Sequence, residues 1–206
     1  MVFNGWAAGP ETWALTTFPR DWTFDYLEQL EGLPEKVIED FDEVVLVGFS
    51  MGSTTALRLL LKYPEKVKGL VLVSATPRMM EERVDGVKVW EGFSPRRLAA
   101  FEFGTEMVFG GDPSPLYETG NLKRGLKYLE DTDLRAALEQ RYPAEAGSLP
   151  VYIFHSERDG IVRPHNAAYF KRLFPEAKVT IVPGNEHTLP VTIPALLDEA
   201  VSILVR

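Results

Sequence analysis

A chain of 206 residues, 45% hydrophobic and 25% charged, is long enough to bury one sizeable core and short for two, so it reads as a single domain over 1–206. Its net charge of -8 argues against a general nucleic-acid binder, because phosphate contacts need clustered Lys and Arg. With no cysteine there are no disulfides, thiolates or Cys-ligated metals. No apolar run approaches a membrane span or a secretory signal, and the expectation is a cytoplasmic monomer with neither nucleic-acid nor membrane partners.

In chain order, short apolar runs alternate with helical patterns, the mark of a largely parallel sheet covered by helices. Strands are expected at Val2–Asn4, Thr23–Tyr26, Val44–Val47, Leu70–Ser74, Val151–His155 and Val179–Val182. Helices are expected at Pro34–Asp40, Met51–Tyr63, Pro164–Phe174 and Ile193–Leu204; Pro64 stops the second, and Pro164 suits a first turn. The result is an α/β fold with a mostly parallel six-stranded sheet. Its chemistry belongs in the loops that follow strands.

The alternation breaks over about 76–149. Helical patterns at Pro95–Phe103 and Leu122–Gln140 appear there without a convincing strand. Met79, Met80, Trp90, Phe93, Phe101, Phe103, Met107 and Phe109 concentrate in the same segment. An inserted helical lid over an apolar substrate chain is expected; for any one of these side chains taken singly, plain packing onto the body is the stronger reading.

Gly48-Phe49-Ser50-Met51-Gly52 lies between the run Val44–Val47 and the helical pattern from Ser53. G-x-S-x-G alone can serve only to make a tight turn, but at a strand-to-helix junction it marks a nucleophile elbow. Such a turn strains the serine backbone and brings strand and helix together, so the flanking positions must lack a Cβ. Ser50 is the expected nucleophile. The Met51 N–H, at the start of a helix, is an expected oxyanion donor.

A serine hydroxyl needs an imidazole to take its proton and a carboxylate to orient that imidazole. Of the three histidines, His155 ends a strand and His165 opens a helix, whereas His187 sits in Pro183-Gly184-Asn185-Glu186-His187-Thr188 after the last strand. The chain order serine, acid, histidine selects His187. Asp159, in Ser156-Glu157-Arg158-Asp159-Gly160, is the expected acid, with Glu157 as its alternative; Asp-Gly is also plain turn chemistry. The loop Asn4-Gly5-Trp6-Ala7-Ala8-Gly9 is expected to supply the second oxyanion donor from the Trp6 N–H, with its ring walling the substrate pocket.

These motifs resemble the α/β-hydrolases, and more narrowly the pimeloyl-[acyl-carrier protein] methyl ester esterases of biotin synthesis, the BioH and BioG types. The general likeness lies in Asn4-Gly5-Trp6, Gly48–Gly52, Asp159-Gly160-Ile161-Val162 and the His187 loop. The narrower likeness lies in Trp90-Glu91-Gly92-Phe93, Leu98-Ala99-Ala100-Phe101, Gly125-Leu126-Lys127-Tyr128-Leu129 and Asp133-Leu134-Arg135. The resemblance implies hydrolysis of a methyl ester at the far end of a pimeloyl chain on acyl carrier protein, without a metal or organic cofactor. It also implies that Phe101, in the lid, and Trp6 touch substrate.

Two departures stand out. The family's opening strand hairpin is missing, because Met1 already begins the strand before Asn4-Gly5-Trp6; either the sheet is trimmed or the start lies upstream. The lid is also shorter than in the BioH type, so that family's carrier-binding arginines do not carry over one by one; Arg96, Arg97, Lys123, Arg124 and Lys127 could form a basic patch for an acidic carrier, but are nearly balanced by neighbouring acids and read as a solvated face. The alternatives are a generic short-chain carboxylesterase or thioesterase, and a non-catalytic binding protein on the same scaffold.

Overall fold

Val44–Phe49 is buried at every position, as a strand covered on both faces must be. It lies inside a sheet seen in a computed structural model that describes residues 1–79, 83–84, 87–88, 115–142 and 149–206. The strands are β1 (Val2–Phe3), β2 (Thr23–Phe24), β3 (Val44–Phe49), β4 (Val67–Val73), β5 (Arg83–Val84), β6 (Val87–Lys88), β7 (Val151–Ser156) and β8 (Lys178–Val182). Among the described residues the α-helices are α1 (Tyr26–Leu30), α2 (Leu33–Val37), α3 (Met51–Lys62), α4 (Thr119–Asp131), α5 (Arg135–Arg141), α6 (His165–Leu173), α7 (Leu189–Thr192) and α8 (Pro194–Leu204).

Six strands form one sheet in the order β2-β1-β3-β4-β7-β8, and every neighbouring pair is parallel. The strand order reverses between β1 and β3. The loops after those two strands therefore flank the crevice where open α/β sheets bind ligands.

Alternation along the strands builds two apolar layers. Leu46, Leu70, Leu72 and Ile153 pack under Ala56, Leu57, Leu59 and Leu60 of α3 and Phe170 of α6. Val45, Val47, Val71, Val73 and Phe154 pack under Leu197, Ala200, Val201 and Leu204 of α8, together with Trp13. Each such Val, Leu, Ile or Phe side chain contributes about 1.5–3 kcal/mol when fully buried. A third cluster lies at the carboxyl edge of the sheet, where Trp6, Tyr26, Met51, Met79, Tyr117, Leu122, Leu129, Ile161 and Val162 meet.

The structure departs from the expected elements in several places. The expected six-stranded, largely parallel sheet is present and wholly parallel, but β4 starts at Val67 rather than Leu70. Tyr26 belongs to a helix: the Asp25 side chain accepts from the Leu27 and Glu28 N–H groups while Glu28 accepts from the Asp25 N–H, a capping box. The expected helix Leu122–Gln140 is two helices. Thr132 is extended, the Asp133 carboxylate accepts from the Arg135 N–H at 3.1 Å, and the Leu134 N–H reaches the Pro77 carbonyl at 3.0 Å. The segment expected to lack strands contains β5 and β6, an antiparallel pair. The expected helix Pro95–Phe103, with Phe101, lies outside the described residues.

Candidate active site

The turn after β3 is built by what glycine lacks. A Cβ on Gly48 would stand 2.5 Å from Ser53 Cα, and one on Gly52 would fall on the Phe3 carbonyl of β1. Between them Ser50 has φ 52 and ψ -119, a left-handed conformation that costs a non-glycine residue about 1–3 kcal/mol. The Ser50 N–H donates to the Val73 carbonyl at 2.9 Å, and the Ser53 hydroxyl donates to the Gly48 carbonyl at 2.6 Å. The strain is thus locked in by two neighbouring strands and one helix.

His187 Nε2 lies 3.0 Å from Ser50 Oγ, and His187 Nδ1 lies 2.8 Å from Asp159 Oδ2. The remaining Asp159 oxygen accepts from the Ile161 and Val162 N–H groups at 2.8 and 2.9 Å. Burial pushes the Asp159 carboxyl up, but His187 and the two backbone donors outweigh burial and hold it below the usual carboxylate range. A carboxylate that accepts from Nδ1–H leaves Nε2 free to accept from the serine hydroxyl. Ser50, Asp159 and His187 are 8%, 4% and 7% exposed, so little water competes with the relay.

The loop after β1 comes alongside. A Cβ on Gly5 would stand 3.2 Å from Ser50 Cβ and 2.9 Å from the Phe49 ring, so only glycine lets this backbone approach the serine. The next N–H belongs to Trp6. Across the crevice, Met51 opens α3, where its N–H has no acceptor within the helix. The arrangement can deprotonate the Ser50 hydroxyl, with the Trp6 and Met51 backbones beside it.

A family model described as the alpha/beta hydrolase fold matches residues 21–142, more than half of the chain. The chain belongs to the alpha/beta hydrolase fold family. A Nitrosospira multiformis protein named pimeloyl-[acyl-carrier protein] methyl ester esterase is 26% identical, over 85% of this chain and 73% of its own. A Yersinia enterocolitica protein of the same name is 25% identical, over 77% and 68%. Among solved structures, a thermophilic esterase superposes with a TM-score of 0.68 at 17% identity, covering 99% of this chain and 88% of its own. The carboxylesterase CesB of Bacillus subtilis gives 0.62 at 17%, covering 99% and 82%. At these identities the superpositions speak for the fold.

Within this alpha/beta hydrolase, the structure brings Ser50, Asp159 and His187 together and sets Trp6 and Met51 beside them. Glu157 is exposed and its N–H pairs with the Val182 carbonyl, while the carboxylate on His187 Nδ1 is that of Asp159. His155 is fully buried with Nε2 on the Ala75 carbonyl, and His165 is exposed at the start of α6. The Trp6 ring is 2% exposed, enclosed between the body and α4.

Two residues escaped the sequence reading. The Ser74 and Ser156 hydroxyls, at the ends of β4 and β7, donate to the His187 and Glu186 carbonyls. Their only signal was position: each follows an apolar run that ends at the same sheet edge as Ser50.

Proposed function

We propose that the protein is a serine carboxylic ester hydrolase that works through an acyl-enzyme. The observation that carries this reading is the unbroken succession Ser50 Oγ, His187 Nε2, His187 Nδ1, Asp159 Oδ2 at the crevice where the strand order reverses. Ser50 Oγ attacks the ester carbonyl carbon as its proton passes to His187 Nε2, and Asp159 balances the imidazolium. The tetrahedral oxyanion accepts from the Trp6 and Met51 N–H groups. Collapse breaks the carbonyl carbon to alkoxy oxygen bond, and His187 gives its proton to the departing alcohol. Water then repeats the sequence on the acyl-enzyme, releasing the acid and restoring the Ser50 hydroxyl.

The substrate we assign is a pimeloyl methyl ester carried on acyl carrier protein, with methanol as the first product. Its support is the shared name of the relatives and the lid motifs that resemble theirs. The segment between β4 and β7 then acts as the lid. Its Met79, Tyr117 and Leu122 meet Met51 and Ile161 beside the serine and offer an apolar wall for a methylene chain. For Phe101, which lies outside the described residues, a substrate contact is proposed on the resemblance alone.

The test compares turnover of carrier-bound pimeloyl methyl ester with turnover of a small nitrophenyl ester, in wild type and Ser50→Ala. Preference for the carrier-bound ester supports the full assignment. Equal turnover reduces it to a generic short-chain esterase, and a folded wild type that neither turns over ester nor labels with a fluorophosphonate leaves a binding scaffold.

A further inference from the structure

Helix α4 grips the loop that carries the first proposed oxyanion donor. The Trp6 indole N–H donates to the Leu122 carbonyl, in the first half of α4, at 3.0 Å. One turn further on, Gly125 lies flat against the same ring. A Cβ there would overlap the indole Cδ1, stand 2.8 Å from its Nε1 and meet the Tyr26 ring at 3.2 Å. Glycine weakens a helix interior, so its place in the middle of this 13-residue helix has a packing reason.

The ring is coupled to the N–H through a stiff loop. Trp6 and Ala7 are the central residues of a turn closed by the Ala8 N–H on the Gly5 carbonyl at 3.2 Å, and Ala7 has φ 59. A turn with positive φ at its third residue suits glycine there, so a buried alanine holds the turn in one narrow conformation. From below, the Gln29 side chain donates to the Asn4 carbonyl at 2.9 Å, and the Thr55 hydroxyl fixes Gln29. The Tyr26 hydroxyl donates to the Leu116 carbonyl, a second tie between the body and the segment that leads into α4. With the loop fixed at its start, a displaced indole turns the Trp6 peptide.

We infer that Gly125 is a positioning residue for the oxyanion hole: by seating the Trp6 ring, α4 sets the direction of the Trp6 N–H and couples the segment between β4 and β7 to stabilisation of the transition state. The inference rests on the hydrolase reading above. Oxyanion donors act through geometry, and a displacement of about 1 Å costs on the order of a hundredfold in rate. Because the donor meets charge that develops only in the transition state, the loss falls on kcat.

The test is a double-mutant cycle of Gly125→Ala and Trp6→Ala, read as kcat and KM on nitrophenyl butyrate and as the inhibition constant of a trifluoromethyl ketone. Active sites are counted by fluorophosphonate titration, so that unfolded protein is not scored as slow protein. Gly125→Ala lowers kcat about 10- to 100-fold, leaves KM within about threefold, and weakens the ketone in parallel with kcat. In the Trp6→Ala background, which has no ring for the added Cβ to meet, the same substitution changes kcat by less than about threefold.

Multiplicative effects, or a Gly125→Ala enzyme as fast as wild type, overturn the coupling while the hydrolase reading stands. If Gly125→Ala does not fold, Trp6→Phe alone decides: it keeps ring bulk but loses the bond to Leu122, so kcat must fall with KM held, and an unchanged kcat overturns the inference. A wild type without esterase activity or fluorophosphonate labelling removes the hydrolase reading and this inference with it.

Discussion

The hydroxyl of Ser74 donates to the backbone carbonyl of His187 at 2.9 Å, across 113 positions of sequence. The loop that carries the imidazole is therefore anchored to β4, the strand whose Val73 carbonyl also accepts from the Ser50 N–H. One strand end thus holds both the proposed nucleophile's backbone and the base's backbone. Ser156 repeats the device from β7 on the Glu186 carbonyl.

Ser74→Ala removes a buried hydroxyl donor from the His187 carbonyl, which still accepts from the Leu189 N–H at 2.9 Å. The expected loss of stability is about 0.5–1.5 kcal/mol, the net value of one hydrogen bond, read from denaturant midpoints. Activity should fall about three- to tenfold in kcat, because the imidazole loses one constraint while keeping both of its own partners. Ser74 also has φ 48, so Ser74→Gly should be less destabilising than Ser74→Ala although both lack the hydroxyl. Equal stabilities would show that the strain at this position is not felt.

Ser50 presents the opposite balance. Ser50→Gly and Ser50→Ala should both lower kcat on a nitrophenyl ester by at least about a thousandfold, since neither has a nucleophile. Only glycine adopts φ 52 without strain, so Ser50→Gly should melt higher than Ser50→Ala by a margin worth about 1 kcal/mol. A glycine variant less stable than the alanine variant would contradict the strained-elbow account. Activity within a few fold of wild type in either would remove Ser50 as nucleophile.

The elbow was legible because its constraints are local: Gly48 and Gly52 are dictated by contacts that any strand-to-helix turn of this kind must make. The six strands of the parallel sheet were legible for a related reason, since buried parallel strands are near-continuous apolar runs such as Val44–Val47. The error at Tyr26 was avoidable, because Asp25 and Glu28 already spell a capping box. So was the one at β5 and β6, because Val84-Asp85-Gly86-Val87 is a hairpin sequence. The break at Thr132 and the two serine clamps were not avoidable by pattern. They depend on the Pro77 carbonyl and on the loop carbonyls of Glu186 and His187, tertiary partners that leave no periodic trace in the chain.

Asp159→Asn keeps the shape of the acid but changes its chemistry. A carboxamide that turns its NH2 toward His187 favours the tautomer with a proton on Nε2, which cannot accept from Ser50. The expected fall in kcat is on the order of 10³–10⁴ near neutral pH. The carboxylate's depressed pKa adds a stability signature. Its contribution is complete above the unfolded value, about 3.9, and is lost as the pH falls through the lower folded value. Wild type should therefore lose stability relative to Asp159→Asn below about pH 4, as followed by thermal melting. Parallel melting curves across that range would show that the carboxylate has no net interaction in the fold.

His155 predicts pH dependence in a different window. It is fully buried beneath the site, with Nε2 on the Ala75 carbonyl at 3.2 Å and no partner for Nδ1. Burial lowers its pKa, and His187 and His165 push the same way; the Ala75 hydrogen bond and Asp159 oppose them without prevailing. Above about 6.5 the ring is neutral in both states and contributes no slope. Below that value the unfolded chain takes up a proton that the folded chain resists, so stability falls with falling pH until the folded value is reached. Each unit of depression is worth about 1.4 kcal/mol. Urea midpoints measured at pH 7.5, 6 and 5 should decline in wild type more steeply than in His155→Leu. The leucine variant should be the less stable of the two at pH 7.5, where it leaves the Ala75 carbonyl without its donor, and the gap should narrow at pH 5. A gap that stays constant or widens toward low pH would mean that this imidazole is charged inside the fold.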